Sequence, residues 1–177
     1  SRDMGVLYNS REASLSSWFN LSPVWEGNLY GGYSRTYNFS RGYLASYGWA
    51  GGEIDWKAAR ILALGSSADI FFEGNPAGAV EEITFNARPY LSWTPVNNLN
   101  MRLYVDNLYL RTTGHLERVI GGFLFSYNFR PKSWLYFALN EVQDRSAEYN
   151  HEEQLLPNRL HMVNRVNVVK LKYLFYF

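Results

Sequence analysis

What most constrains this chain is a period of two. Ile83, Phe85, Ala87, Pro89, Leu91 and Trp93 alternate with Glu82, Thr84, Asn86, Arg88, Tyr90 and Ser92. Successive side chains of a strand point to opposite faces, so the pattern predicts a strand with one apolar and one polar side. The end of the chain repeats it, with Val169, Leu171, Tyr173, Phe175 and Phe177 on one face and Lys170 and Lys172 opposite. Weaker alternation over 14–22, 28–39, 43–56, 61–72, 101–110, 118–129 and 134–141 brings the expected count to nine. Helical periodicity is confined to two short, poorly capped stretches, 55–64 and 148–156. The chain reads as all-β, one domain over its 177 residues.

The connections alternate in kind. NLSPVWE (20–26), WTPVNN (93–98) and NFRPKS (128–133) each set a proline after an aromatic-rich strand, which predicts one tight turn used three times. Between them lie EGNPAGAV (73–80), a turn near 112–114 and the polar stretch 144–160. If the last strand descends, Pro23, Pro95 and Pro131 all fall on one side. Tight turns at one end and looser loops at the other are the arrangement of transmembrane barrels.

Alternation does not say which face is inside, since a soluble barrel is apolar within and a membrane barrel apolar without. Strand length, ring placement and side-chain volume decide it. Soluble strands run to about five or six residues, whereas a tilted membrane strand needs about nine to eleven, and most of the stretches here reach that length. Rings gather near strand ends, at Trp93, Phe129, Trp134 and Tyr173, as in the aromatic girdles of such barrels. With 14 Tyr, 11 Phe and 6 Trp, a small barrel could not hold its apolar face inside. The expected fold is a transmembrane antiparallel up-and-down β-barrel of about 8–10 strands, an even number in closed bacterial barrels. Two details need repair in that scheme. Pro89 falls mid-strand and calls for a bulge, and Met101, Leu103 and Val105 are out of phase with Leu108 and Leu110.

Several chemistries are excluded or unsupported. A chain without cysteine has no disulfide, thiolate nucleophile, thiolate zinc site or iron–sulfur cluster. A net charge of +1 gives no reason to expect nucleic acid. His115, His151 and His161 lack metal-ligand spacing, although His151 adjoins Glu152 and Glu153, and no cofactor is implied. A Ser with His115 or His161 is the one enzymatic arrangement to weigh, that of an outer-membrane acyl hydrolase, and no motif selects a trio, so no catalytic residue is assigned. The paired glycines Gly31–Gly32, Gly51–Gly52 and Gly121–Gly122 lack the strand–loop–helix context of a phosphate loop and are expected to relieve crowding against rings.

The run Val169, Leu171, Tyr173, Phe175 and Phe177 resembles the C-terminal signal by which the barrel assembly machinery recognises Gram-negative outer-membrane proteins. NARPYLSWTPVNNLNMRLYVDNLYL, GGFLFSYNFRPKSWLYFALNEVQDR and NRVNVVKLKYLFYF, in that order, resemble the C-terminal barrel of an uncharacterised outer-membrane family. The resemblance implies a bacterial outer membrane, with the lipid bilayer and the assembly machinery as partners and other outer-membrane subunits as further ones. Members of that family often carry a carbohydrate-binding-like module ahead of a larger barrel. No such module is visible here, which suggests an N-terminal part beyond this sequence, and the family supplies no catalytic residues.

Glu82, Arg88, Arg102, Asp106, Arg118, Lys170 and Lys172 are the expected lumen-facing side chains. In a wide barrel they would line a pore or capture small solutes. In a narrow one they would pair and fill the interior, making a structural anchor or a subunit of a complex.

Overall fold

The structure, a computed structural model, describes residues 2–3, 6–145 and 159–174. Two short strands, β1 (Arg2–Asp3) and β2 (Val6–Leu7), pair with each other. The rest is one antiparallel sheet of nine strands: β3 (Arg11–Ser22), β4 (Trp25–Asn38), β5 (Tyr43–Ala59), β6 (Leu62–Gly74), β7 (Val80–Val96), β8 (Leu99–Leu110), β9 (His115–Arg130), β10 (Ser133–Asp144) and β11 (His161–Lys172). Each strand bonds to its sequence neighbours, an up-and-down order with no crossover, and the described residues contain no helix. The sheet is open, with β3 and β11 as its two edges.

The two ends of the sheet differ as the sequence suggests. At one end β3–β4, β5–β6, β7–β8 and β9–β10 are joined by two-residue turns, 23–24, 60–61, 97–98 and 131–132. At the other the connections are 39–42, 75–79, 111–114 and 145–160. Gly42, Gly78 and Gly114 have positive φ in three of these, the backbone region only glycine enters freely. Lys132, at φ 60°, follows Pro131 as the third residue of a type II turn does. Pro23 likewise opens its turn, but Pro95 does not. It lies inside β7, where the register against β8 shifts between Trp93 and Val96, and the turn itself is Asn97–Asn98. The third proline thus marks a bulge next to a turn, as suits a residue that cannot donate to the ladder.

Cross-strand register sorts the side chains into two faces. One carries Leu15 and Phe19 of β3, Leu29 of β4, Ile54 of β5, Leu64 and Ile70 of β6, Phe85 and Leu91 of β7, Met101, Leu103 and Val105 of β8, Phe123 and Phe125 of β9, Leu135, Phe137 and Leu139 of β10, and Val169 and Leu171 of β11. The other face is dominated by polar and charged residues. Leu108 belongs to that second face, opposite Asn86 and Arg118, so Met101, Leu103 and Val105 need no repair. A register shift against β9 follows Leu108, between it and Tyr109.

The bulge expected at Pro89 is absent. The β7–β8 ladder leaves Arg88 and Pro89 without paired partners and resumes in the same register, Ala87 opposite Asn107 and Tyr90 opposite Tyr104. Side chains bridge the gap instead. The Asn107 amide donates to the carbonyls of Ala87 at 3.3 Å and Val105 at 3.4 Å, and Arg88 meets Asp106 on the polar face.

Among the described residues nothing is stacked on either face. Ala45 is the one buried apolar residue of the described core, while Leu29, Phe72, Phe85, Leu103 and Val105 of the inner strands are exposed. A soluble sheet buries one side against another layer. Among the described residues no such layer covers this one, and its apolar face is left exposed.

Candidate functional site

The polar face is the candidate site, and its floor is built by glycines lying opposite rings. Register places Gly32 opposite Trp49, Gly51 opposite Tyr30, Gly65 opposite Tyr90 and Gly122 opposite Tyr104. In each pair a Cβ on the glycine would collide with the ring. The rings therefore lie flat across the glycines of the next strand instead of standing away from the sheet. One member of each expected glycine pair serves this purpose; Gly121, on the apolar face, has open space where its Cβ would be.

On that floor sits a connected set of polar side chains. The Arg102 guanidinium stacks on Tyr90, 3.6 Å from the ring centroid, and Arg88 lies 5.2 Å from the centre of Tyr104. Arg88 also pairs with Asp106 at 2.6 Å. The Tyr104 hydroxyl donates to Asn140 at 2.6 Å, and Tyr30 donates to Asp69. The Asn100 amide donates to Ser92 at 3.2 Å and Thr94 at 2.9 Å. Arg118 pairs with Asp144 at 2.7 Å. Each side chain is held by a neighbour in the same sheet, the arginines and Asp69 through the stronger bonds of ionised groups and the rest through neutral hydrogen bonds.

A second cluster ties the looser connections together. Glu73 accepts from the Asn38 amide at 2.8 Å and faces Arg41 at 3.5 Å; Arg41 also meets Glu81 at 3.1 Å, and Glu81 accepts from Asn75 at 2.7 Å. The hydrogen bond of Arg41 to Tyr43, followed by the charge of Glu73, raises the pKa of this guanidinium above its ordinary value. Thr112 donates its hydroxyl to Glu82, anchoring the next connection.

The seven expected polar-face residues all lie on this face. Arg88, Arg102 and Asp106 are brought together around Tyr90 and Tyr104; Glu82 belongs to the connection cluster; Arg118 is held by Asp144. Lys170 and Lys172 lie apart on the edge strand, opposite Tyr136 and Trp134. Sequence reasoning missed Tyr30, Asp69, Tyr90, Tyr104 and Asn140 as members of the network, since it selected only charged side chains of the polar face. The signal was there, since Tyr90 falls in the polar half of the 82–92 alternation.

Of the expected terminal signal, Val169 and Leu171 lie on the apolar face, and Tyr173 accepts from Arg130 at 3.0 Å and stacks on Phe129. Phe175 and Phe177 lie outside the described residues, as do His151, Glu152 and Glu153. Among the described residues no group of His, Asp or Glu is arranged to hold a metal ion. A shallow groove of about 630 Å³ runs on the apolar face past Pro89, Leu91, Val105, Gly121 and Leu139. No protein-family model matches the sequence, and no curated protein matches it.

Proposed function

We propose that these strands are part of a transmembrane β-barrel of a bacterial outer membrane, and that the polar face lines a lumen through which small solutes pass or in which they are captured. The observation that carries this reading is the unpartnered apolar face, a band that crosses all nine strands, gives way to Arg11, Arg35, Glu141 and Arg165 toward the loop end, and has no second layer among the described residues. Lipid covers such a face; water penalises it by about 25 cal/mol per Å².

Dimensions and rings agree. On β4, Trp25 stacks on Trp56 near the turn end, and Tyr37 meets Phe39 near the loop end. The twelve steps from Trp25 to Tyr37 span about 40 Å at about 3.3 Å per residue, or about 28 Å across a bilayer at a tilt of about 45°, close to its hydrocarbon thickness. The rings laid flat over Gly65, Gly122, Gly51 and Gly32 support an open lumen, because they keep bulk close to the wall. The pairs Arg88–Asp106 and Arg118–Asp144 favour a second reading, a narrow interior filled by its own ion pairs and serving as an anchor or subunit.

Because the chain has no cysteine, single cysteines report cleanly. Fluorophores on Leu103→Cys and Phe85→Cys are expected to be quenched by lipids carrying acyl-chain spin labels, and one on Ser67→Cys to be spared. Equal quenching at all three positions, or recovery of the protein in the soluble fraction, would sink the membrane reading. Conductance in planar bilayers separates the two lumens: ion currents support the pore, and silence supports the packed interior.

A further inference from the structure

The directions of the two edge strands decide how the sheet is completed. β3, β5, β7, β9 and β11 all run from the loop end to the turn end, because nine strands in strict alternation begin and finish the same way. Joining β11 to β3 would therefore make one parallel seam in an otherwise antiparallel sheet. We propose that β3 and β11 are not each other's partners, and that an odd number of strands from the same polypeptide, outside residues 1–177 and continuous with β3, lies between them. The inference rests on the barrel reading above.

Several features single out this occupant. Tyr8 stacks on Tyr37 with ring centroids 5.8 Å apart and meets Phe39 at 6.0 Å, so the chain enters β3 at the loop end, where an upward strand beside β3 delivers it. A second copy does not fit. Rotated about the barrel axis it presents β3 to β11 in the same parallel sense, and turned over it puts its loop end on the wrong side of the membrane. Among the described residues no strand pairs with either edge: Trp18 of β3 is 79% exposed on the polar face, and Val169 of β11 is 70% exposed on the apolar one.

The edge of β11 also states the chemistry of its neighbour. Its polar-face residues are Val166 and Val168, then Lys170 and Lys172 toward the turn end, and neither lysine has an ion-pair partner among the described residues. Directly opposed side chains on antiparallel strands interact, so the docking strand carries apolar residues opposite the valines and carboxylates opposite the lysines.

The test uses the whole polypeptide in its native membrane. Leu15→Cys is combined in turn with Asn167→Cys, Val169→Cys and Leu171→Cys, all on the outer face, and oxidised. An intervening strand sets the edges about 9.6 Å apart or more, beyond the Cα separation of about 7 Å that a disulfide tolerates. No disulfide is expected, while the neighbour pairs Ser17→Cys with Leu29→Cys and Phe137→Cys with Val169→Cys do form one. The intact mass of the unaltered protein, which needs no variant, is expected to exceed 20.5 kDa. Replacing both lysines by Glu is expected to lower the urea midpoint more than replacing both by Gln. A β3–β11 disulfide, a mass of 20.5 kDa, or equal effects of Glu and Gln overturns the proposal. A protein found in the soluble fraction overturns the barrel reading itself, whereas a membrane-embedded one with a β3–β11 disulfide overturns only this closure.

Discussion

β8 and β11 have the same length and the same two-sided pattern, yet they sit differently. Leu103 of β8 has Leu91 on one side and Phe123 on the other, and it is still 53% exposed. Val169 of β11 has Phe137 alone and is 70% exposed. The exposed apolar surface therefore has two sources. The unpaired edge of β11 explains the difference between the strands, and the lack of a covering layer among the described residues explains what remains on β8. The second is the larger, because even a doubly flanked leucine keeps half its surface bare.

The strongest way to break that comparison is to put a charge on each kind of surface. Leu103→Arg is expected to cost about 2–4 kcal/mol in lipid vesicles, the range for a basic residue near the bilayer midplane. Leu15→Arg on the edge strand shares the outer face and is expected to cost about as much if further strands cover that edge. Leu124→Arg, on the polar face but directly opposite Arg102, is expected to cost no more than about 1 kcal/mol, the scale of a like-charge cross-strand pair. Urea unfolding of vesicle-reconstituted protein reads all three. Equal losses at Leu103 and Leu124 would mean the two faces have been wrongly assigned.

Adjacent glycines of β9 give a finer version of the same contrast. At Gly122 an alanine Cβ would enter the Tyr104 ring and displace its hydrogen bond to Asn140, so Gly122→Ala is expected to cost about 1–3 kcal/mol, as overpacking does. Gly121 meets open space, and Gly121→Ala is expected to be neutral or to stabilise by about 0.5 kcal/mol through the lost freedom of the unfolded chain. Opposite signs at neighbouring positions are the expected result of the unfolding measurement. A loss of the same size at both would mean that Tyr104 does not lie over Gly122.

How much of this could be read beforehand follows from where the information resides. The β7 alternation was local, and its register held from Ile83 to Trp93. The two ends of the sheet were legible because turn residues act within a few positions, although Pro95 misled, since a proline in a bulge and one in a turn look alike in sequence. The network was only half legible. Charges on one face of a strand announce themselves, but Tyr90 over Gly65 and Tyr104 over Gly122 are encounters between strands whose register is set by the whole sheet. The direction of the edges needed the strand count, and one strand more or fewer reverses it.

An intermediate effect is expected at Arg88. Its pair with Asp106 is half exposed, so Arg88→Ala is expected to cost no more than about 1 kcal/mol, and a double-mutant cycle with Asp106→Ala measures the coupling. A coupling near zero would show that Arg88 is held by Tyr104 and not by the carboxylate.

The smallest expected effect concerns the gap that Pro89 opens. If the Asn107 amide bridges it, Asn107→Leu costs more in the presence of the proline than in a Pro89→Val background, where the chain regains an amide hydrogen for the ladder. One modest hydrogen bond sets the scale, so the coupling is expected near 0.5 kcal/mol, about the limit of what an unfolding cycle resolves. The sign is the informative part. Positive coupling makes Asn107 the substitute donor that lets β7 keep its register without a bulge. Additive losses would assign that register to the flanking pairs alone, Ala87 with Asn107 and Tyr90 with Tyr104, whose backbone bonds outlast the substitution.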